Sequence, residues 1–383
     1  MSDIKKLDLE YSQLGSDKMR LNVGPQHPST HGVLRLEVEV DGEIVNEVIP
    51  HLGYLHRSFE KYCENKTYPQ IIPYLDRMDY ISAMNNEWVY AMAMEKMLDI
   101  KVSDKVEYIR VIVAELNRIA NHQIAIGTFG LDAGAFTPFL FYFRDREEII
   151  WILEKLSGAR LLYNYFKIGG LARDIYSGFK EDCLKVVKQV RKTNKEVMDL
   201  LMMNGIFIKR TANVGILPAD VAISYACSGP VLRGSGVKYD LRKDEPYSIY
   251  DRFDFDIPVG DGEVGVVGDC WNRNIVRVRE MEESCRIIEQ ALEQMPMEGD
   301  VQENVKKRVK PPVGEVYMRA ENPKGDLGMY IVSNGTDKPE RLKARGSSFV
   351  NLSVIPEISK GYMFADLILI LGSIDIVLGE VDR

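Results

Sequence analysis

The feature that most constrains the fold is a run of four long amphipathic segments in the first half of the chain. Apolar residues recur at i, i+3 and i+4 over several turns in 73–98, 103–127, 137–166 and 177–203. Ser103 is placed to cap the second of these helices, and Thr137-Pro138 is typical of a helix start. Four consecutive long helices predict a helical bundle.

Short β segments flank this bundle. Residues 34–48 alternate apolar and polar on both sides of Asp41-Gly42, which predicts a hairpin, and a second hairpin is expected around Pro323-Lys324-Gly325. A further helix is expected at about 268–294, and the Gly-, Asp- and Arg-rich stretch 228–260 should carry some structure of its own. The predicted class is therefore α+β, with a central helical bundle and small β-sheets from the N- and C-terminal parts.

This pattern divides the chain into a polar arm and one domain. The arm covers residues 1–20 and the domain residues 21–383. We expect the domain to contain a β-hairpin region at 21–50, the helical bundle at 56–204 and a C-terminal α/β part at 205–383.

Composition argues against several functional classes. The net charge is −8 and the basic residues are scattered, which argues against nucleic acid as a partner. The five cysteines lie far apart without a C-x-x-C pair, so neither a disulfide framework nor a metal cluster held by this chain alone is expected.

The apolar stretch 362–378 contains Asp366, Gly372 and Asp375 and is shorter than the uninterrupted run of about 20 apolar residues that a transmembrane helix needs. It predicts a buried core helix, so no transmembrane helix is expected, and any work at a membrane would be that of a peripheral partner.

Four of the five histidines lie between residues 27 and 56. His27 and His31 are spaced i, i+4, which would suit a metal if the segment were helical. Gly24, Pro25 and the neighbouring Pro28 and Gly32 remove that helix. This argues against a zinc site and favours turn histidines that bond to the backbone.

Several predicted helices carry more charged and amide side chains than an apolar core can accommodate. The densest segments are 76–80, 85–87, 115–118 and 131–138. Unpaired burial of such groups costs several kcal/mol, so they need partners, and each one taken singly is best explained as a structural ion pair. Their concentration around one histidine loop predicts a polar site at the end of the bundle.

Several of these segments belong to longer motifs. They read, in order, GPQHPSTHGVLR, GYLHR-x-x-EK, DRMDY, LDAGAFTP, SGPVLRGSG, YDLRKDEPY, PKGD-x-G-x-Y and GEVDR. In this order they resemble the D-type subunit of respiratory complex I, a NADH:quinone oxidoreductase, over about residues 20–383. The resemblance implies the fold of nickel–iron hydrogenase large subunits, to which that family is related. Hydrogenases hold their metals with two C-x-x-C pairs, whereas this chain has only Cys63 near the first location and none in its tail, so no metal is expected on this chain.

The resemblance also implies a site for quinone reduction. In that family a quinone cavity lies between the D-type subunit and a neighbouring subunit that holds a [4Fe-4S] cluster. The family's quinone-binding histidine and tyrosine fall on His31 and Tyr80, and the histidine's carboxylate partner falls on Asp132. An imidazolium and a phenol suit a quinone, because their hydrogen bonds strengthen as negative charge develops. Arg57 and Arg77 match arginines close to the cluster, although each could instead form an interface ion pair.

The same resemblance implies partners and a location. The partners would be the B-type subunit that holds the iron–sulfur cluster, the C-type subunit, the membrane-embedded H-type subunit and the I-type subunit. The protein would work only within this proton-translocating assembly, in its peripheral arm on the cytoplasmic face of the bacterial inner membrane. The alternatives are a related subunit of a membrane-bound quinone or phenazine oxidoreductase fed by ferredoxin or a deazaflavin, or a non-catalytic scaffold. The presence of both His31 and Tyr80 favours quinone chemistry.

One departure from the family pattern bears on the quinone. Many members carry a histidine, near the cluster, where this chain has Leu162. Because leucine cannot bind a proton, we expect a low and nearly pH-independent cluster potential. That potential suits menaquinone better than ubiquinone.

Overall fold

The computed structural model describes residues 18–26, 32–306 and 308–383, so His27 and His31 lie outside the described residues. The predicted bundle is present, and the prediction of an α+β fold is confirmed. Its helices are α2 (Tyr68–Leu75), α3 (Ala83–Leu98), α4 (Asp104–Asp132), α5 (Phe136–Ser157) and α6 (Phe179–Val197), preceded by the short α1 (Phe59–Cys63). A π-helical turn, Met198–Met202, extends α6.

Helix α4 is the central element of the bundle. Ser103 caps it as predicted, since its Oγ accepts a hydrogen bond from the Val106 amide (3.4 Å). Asp104 and Glu107 lie in its first turn, where they complement the positive end of the helix dipole. The helix packs against α3, α5, α11 (Cys270–Gln294) and α14 (Phe364–Ile374), so it is buried on most of its circumference.

Two helix boundaries differ from the prediction. The segment 73–98 is not one continuous helix, because a turn at 76–82 separates α2 from α3. The Asn86 side chain holds this turn, donating to the carbonyls of Leu75 (3.1 Å) and Asp79 (3.0 Å). Helix α5 ends at Ser157 rather than near residue 166, because Gly158 adopts a left-handed conformation (φ 86°) that ends helices.

Both predicted hairpins are confirmed. Strands β1 (Lys18–Val23), β2 (Arg35–Asp41) and β3 (Ile44–His51) form an antiparallel sheet, and β6 (Gly314–Asn322), β7 (Gly325–Ser333) and β8 (Pro339–Arg345) form another. A two-stranded ribbon, β4 (Phe166–Lys167) with β5 (Gly170–Leu171), lies between them in the chain. The turn between β6 and β7 is Pro323-Lys324, and it places Lys324 in the core.

The C-terminal half fills the remaining sides of the bundle. It contains α7 (Gly205–Thr211), α8 (Ala219–Ser224), α9 (Gly229–Gly234), α10 (Leu241–Asp244), a 3-10 turn (Tyr250–Arg252), α11, α12 (Ser347–Leu352), α13 (Ile355–Ser359), α14 and α15 (Leu378–Asp382). The apolar stretch 362–378 forms the buried helix α14, as predicted. None of the helices in the described ranges is both long enough and apolar enough to cross a membrane.

Candidate functional site

Tyr80 lies on the turn 76–82 at the surface of the bundle. Its residue surface is 37% exposed, whereas the preceding Asp79 is fully buried. The turn is fixed from within, because Asp79 Oδ1 accepts from the Ile81 amide (3.2 Å). Tyr80 is therefore partly accessible to solvent, on a turn that this hydrogen bond helps to hold in place.

A buried lysine stands directly behind this turn. Lys324 Nζ donates to Asp79 Oδ2 (3.0 Å) and also to Asn121 Oδ1. Asn121, on α4, in turn donates to Asp375 Oδ2 (3.1 Å) at the end of α14. The turn 76–82, the β6–β7 turn, α4 and α14 thus meet at one polar cluster in the core.

The last residues of the chain close the same region. Asp382 accepts hydrogen bonds from the amides of Gly53 (2.9 Å) and Leu55 (2.7 Å), and His56 Nδ1 donates to its carbonyl (2.7 Å). Gly379 packs so tightly that a Cβ there would lie 2.6 Å from the Met78 carbonyl oxygen. The loop 52–57, the turn 76–82 and the tail 379–383 therefore meet in one region, which we call the tail junction.

Glu380 lies at the buried centre of the tail junction. Its carboxylate accepts from the amides of Ser347 (2.8 Å) and Ser348 (3.0 Å) and from both hydroxyls. Burial, together with the negative charge of Asp79, raises the pKa of Glu380. The tail is thereby anchored through an acid that resists ionisation.

The two predicted arginines lie at the exposed rim of the tail junction. Arg57 Nη2 donates to the Arg77 carbonyl (2.6 Å), and its amide donates to the Arg383 carbonyl (3.3 Å). Arg77 Nη1 donates to the Pro73 carbonyl, one turn back on α2. Each guanidinium group thus binds a backbone oxygen through one nitrogen, which leaves donors for other groups.

The electrostatics at Tyr80 keep it protonated. Burial raises the pKa of Tyr80, and the Asp79 carboxylate raises it further, while Lys324 and Arg57 oppose the shift. The neutral phenol is therefore a hydrogen-bond donor at physiological pH. The structure thus brings together Tyr80, Arg57 and Arg77 among the predicted site residues.

Asp132 lies away from the Tyr80 turn. It is the half-buried last residue of α4. At 1.5 Å per residue it lies about 16 Å along the helix from Asn121, which faces the Tyr80 turn. The position of His31 is outside the described residues, so the predicted pairing of His31 with Asp132 stays a prediction.

The described residues offer no group of three or more His, Cys, Asp or Glu side chains arranged to hold a metal. All five cysteines are buried and free. Burial raises the pKa of Cys63, the cysteine nearest the Tyr80 region in sequence, to about 12. A protonated thiol of this kind is a poor metal ligand.

The sequence did not predict a role for two residues of this region, Lys324 and Glu380. Lys324 lies in the PKGD motif and Glu380 in the GEVDR tail, but the motifs alone do not indicate what these side chains contact. A lysine in the turn of an apolar hairpin normally points to solvent. Here its ammonium group instead meets α4 and the turn 76–82 in the core.

The comparisons with known proteins agree with this architecture. The family described as "Respiratory-chain NADH dehydrogenase, 49 Kd subunit" matches residues 132–311 and 300–383. The chain is 58% identical to the D-type subunit of the NADH-quinone oxidoreductase of Chlorobaculum tepidum, over 100% of this chain and 96% of that protein. It is 59% identical to the D-type subunit of Pelodictyon phaeoclathratiforme, over 97% and 93% respectively. The D-type subunit numbered 1 of Cytophaga hutchinsonii is 54% identical, with 100% of both chains covered.

Fold and comparisons together define a subunit of a respiratory oxidoreductase complex. More particularly, the chain belongs to the family of the 49 kDa subunit of respiratory-chain NADH dehydrogenase, whose bacterial members above are named as D-type subunits of NADH-quinone oxidoreductase.

Proposed function

We propose that this chain forms the quinone reduction site of a proton-translocating NADH:quinone oxidoreductase, together with a neighbouring iron–sulfur subunit. The observation that carries the proposal is the exposed phenol of Tyr80 on a turn fixed by buried charges. A donor held in place before the substrate arrives needs no reorganisation as charge develops. Full-length similarity to proteins named as D-type subunits of NADH-quinone oxidoreductase supports the same reaction.

Each residue has a role in this proposal. A quinone that accepts two electrons also needs two protons and hydrogen bonds at its oxygens. Tyr80 donates to one oxygen and His31 to the other, and Asp132 keeps the His31 imidazolium charged. Arg57 and Arg77 face the neighbouring subunit, where their positive charges favour the reduced state of its [4Fe-4S] cluster.

The same proposal assigns partners and a location. The exposed rim of the tail junction would contact the B-type iron–sulfur subunit. The C-type, H-type and I-type subunits would be the other neighbours of this chain in the complex. The chain would lie in the peripheral arm at the cytoplasmic face of the bacterial inner membrane, as one domain from residue 21 onwards. Menaquinone is the favoured substrate, and the chain alone would be inactive because its site is completed by a partner.

The test compares conservative variants in the purified complex. Tyr80→Phe removes one donor and keeps the ring, so quinone reduction should fall at least about tenfold while the complex still assembles. His31→Ala should also lower it, less so with short-chain quinones. Tyr317→Phe is the matched control, because Tyr317 is 45% exposed on β6 and has no proposed role.

Wild-type rates in both Tyr80→Phe and His31→Ala would refute the site assignment. Assays with NADH and with reduced ferredoxin as donors separate the proposed complex from its ferredoxin-fed relatives. The proposal requires activity with NADH.

A further inference from the structure

Lys324 is a fully buried cation beside the proposed site, and the quinone chemistry above gives it no role. Its side chain has 0% exposure, as has that of Asp79. Removing a lone ammonium from water costs several kcal/mol unless charged and polar partners replace the solvent. The fold supplies those partners from two separate segments.

The contacts show that this cation is held in place. Its Nζ lies 3.0 Å from Asp79 Oδ2 and is also bonded to Asn121. Burial disfavours the ammonium, but the charges of Asp79 and Asp375 outweigh it, and the pKa of Lys324 lies above its ordinary value. Lys324 is therefore a permanent positive charge at physiological pH.

Charge balance around Tyr80 depends on this lysine. The carboxylate of Asp79 belongs to the residue directly before Tyr80, and it opposes any negative charge on the phenol. Two cations act in the other direction, Lys324 from the core and Arg57 from the rim. Without Lys324, a phenol that gives up its proton would face a buried, uncompensated carboxylate.

We propose that Lys324 is a positioning residue for Tyr80: its ammonium neutralises Asp79, so that the phenol can carry negative charge while it donates its proton to the quinone. This inference rests on the proposed function. The Tyr80 O–H bond breaks and an O–H bond forms on the quinone oxygen, while the electrons come from the iron–sulfur cluster of the neighbouring subunit. Tyr80 regains a proton from water at its exposed face, and Lys324 keeps its own.

The test is a set of charge variants in the purified complex. Lys324→Met removes the charge, and we expect kcat to fall at least about tenfold, about 1.4 kcal/mol of barrier, with KM changed less than about threefold. Lys324→Arg keeps a permanent charge and should stay within about threefold of wild type. The double variant Asp79→Asn/Lys324→Met removes both charges and should be faster than Lys324→Met alone.

Lys105→Met is the matched control. Lys105 is 5% exposed and its Nζ lies 2.7 Å from Asp174, so the variant also removes a nearly buried, paired lysine. We expect its quinone reduction rate to match that of the wild-type complex. If Lys324→Met does not assemble, the double variant carries the test, because it buries no unpaired charge. It should then assemble and retain activity within about tenfold.

A double-mutant cycle separates this role from a structural one. In a Tyr80→Phe background, Lys324→Met should cause little further loss, since the residue acts through the phenol. Additive losses, a Lys324→Arg variant as slow as Lys324→Met, or wild-type activity in Lys324→Met would each overturn the inference. If Tyr80→Phe and His31→Ala are both fully active, the proposed function fails; if Tyr80→Phe is slow and Lys324→Met is fully active, this inference alone fails.

Discussion

Asp76 and Glu87 bring two carboxyl groups together in the core beneath the loop 162–166. Asp76 Oδ2 accepts from the Asn164 amide (2.9 Å), and Glu87 Oε2 accepts from the amides of Tyr165 (2.8 Å) and Phe166 (2.6 Å). Burial raises the pKa of both groups, and the Asp76 charge raises that of Glu87 further. Burial and the nearby Asp76 charge therefore favour the protonated form of Glu87, whereas the positive charges of Arg77 and Lys167 act to lower the pKa of Asp76.

This pair makes the local stability of the loop depend on pH. Because the pKa of Glu87 is raised by folding, its contribution to stability is full below its ordinary value of 4.5 and is lost as pH rises through the raised value. Glu87→Gln cannot ionise and keeps an acceptor. Hydrogen-exchange protection of residues 164–166, corrected for intrinsic rates, should fall from pH 5 to pH 9 in the wild type and fall less in the variant. Equal slopes would show that Glu87 does not titrate in this range.

Leu162 occupies a left-handed backbone conformation (φ 60°), which is unusual for leucine. On the proposed function, Leu162→His would restore a proton-binding group near the neighbouring cluster. We expect the cluster potential to rise and its pH dependence to approach 59 mV per pH unit, whereas the wild type should stay nearly flat. Redox titration of the cluster's EPR signal at several pH values measures both.

Leu161→His provides the control for that change, because Leu161 is 46% exposed on the same loop. A histidine there should alter the slope less. A wild-type slope already near the one-proton value would contradict the expectation and remove the argument for menaquinone.

Among the elements, those defined by local pattern were predictable and those defined by distant side chains were not. The Asp41-Gly42 hairpin and α11 follow from alternation and helical periodicity within one segment. The break between α2 and α3 does not, because the Asn86 side chain that holds it looks like any polar residue on a helix. The burial of Lys324 likewise depends on packing between segments remote in sequence. Of the candidate site, Tyr80, Arg57 and Arg77 could be found through the motifs, whereas Lys324 and Glu380 could not.

The tail element α15 depends on the absence of a side chain at Gly379. An added methyl group would lie 2.6 Å from the Met78 carbonyl oxygen and 3.0 Å from that of Arg77, so Gly379→Ala must displace the tail. We expect a loss of about 1–3 kcal/mol in stability and a several-fold fall in quinone reduction. Gly205→Ala is the control, since a Cβ there meets no atom within 4 Å. Pulse proteolysis in urea and activity assays compare the two, and equal behaviour would contradict the tight packing of the tail.

At the scale of the whole molecule, buried ion pairs connect the two halves of the chain. Glu115 on α4 is bonded to Arg118 (3.1 Å) and to Arg242 (3.2 Å), and it also accepts from the hydroxyls of Tyr250 (2.6 Å) and Ser284 (2.6 Å). Burial alone would raise the pKa of Glu115, but the two arginines, together with the hydrogen bonds from Ser284 and Tyr250, outweigh it and hold the pKa at about 2. Such a network specifies one packing of the bundle, because each charge must find its partner.

Removing the negative charge of Glu115 should therefore lower the stability of the protein. Glu115→Gln leaves the buried guanidinium group of Arg118 without its paired carboxylate, whereas Arg242 keeps Asp240 (2.7 Å). The free energy of unfolding should therefore fall by about 3–5 kcal/mol at pH 7. The difference should shrink as pH falls from 4.5 towards 2, where the wild-type carboxylate also becomes protonated. Pulse proteolysis of the complex in urea measures it. Glu147→Gln, which breaks an exposed pair with Arg160, should cost less than about 1 kcal/mol, and comparable losses in both would contradict the network's role.

The tail junction has a consequence for biosynthesis. Its pieces lie up to 329 positions apart, and the cation behind Tyr80 comes 245 positions after its carboxylate partner. A nascent polypeptide that has left the ribosome only as far as residue 300 already displays the tyrosine, yet it lacks both the lysine beneath it and the segment that seals it. The helices can form early during translation, but the tail junction and the surroundings of Tyr80 are completed last. In a product that ends before residue 324, the carboxylate of Asp79 therefore lacks the cation that neutralises it in the finished chain.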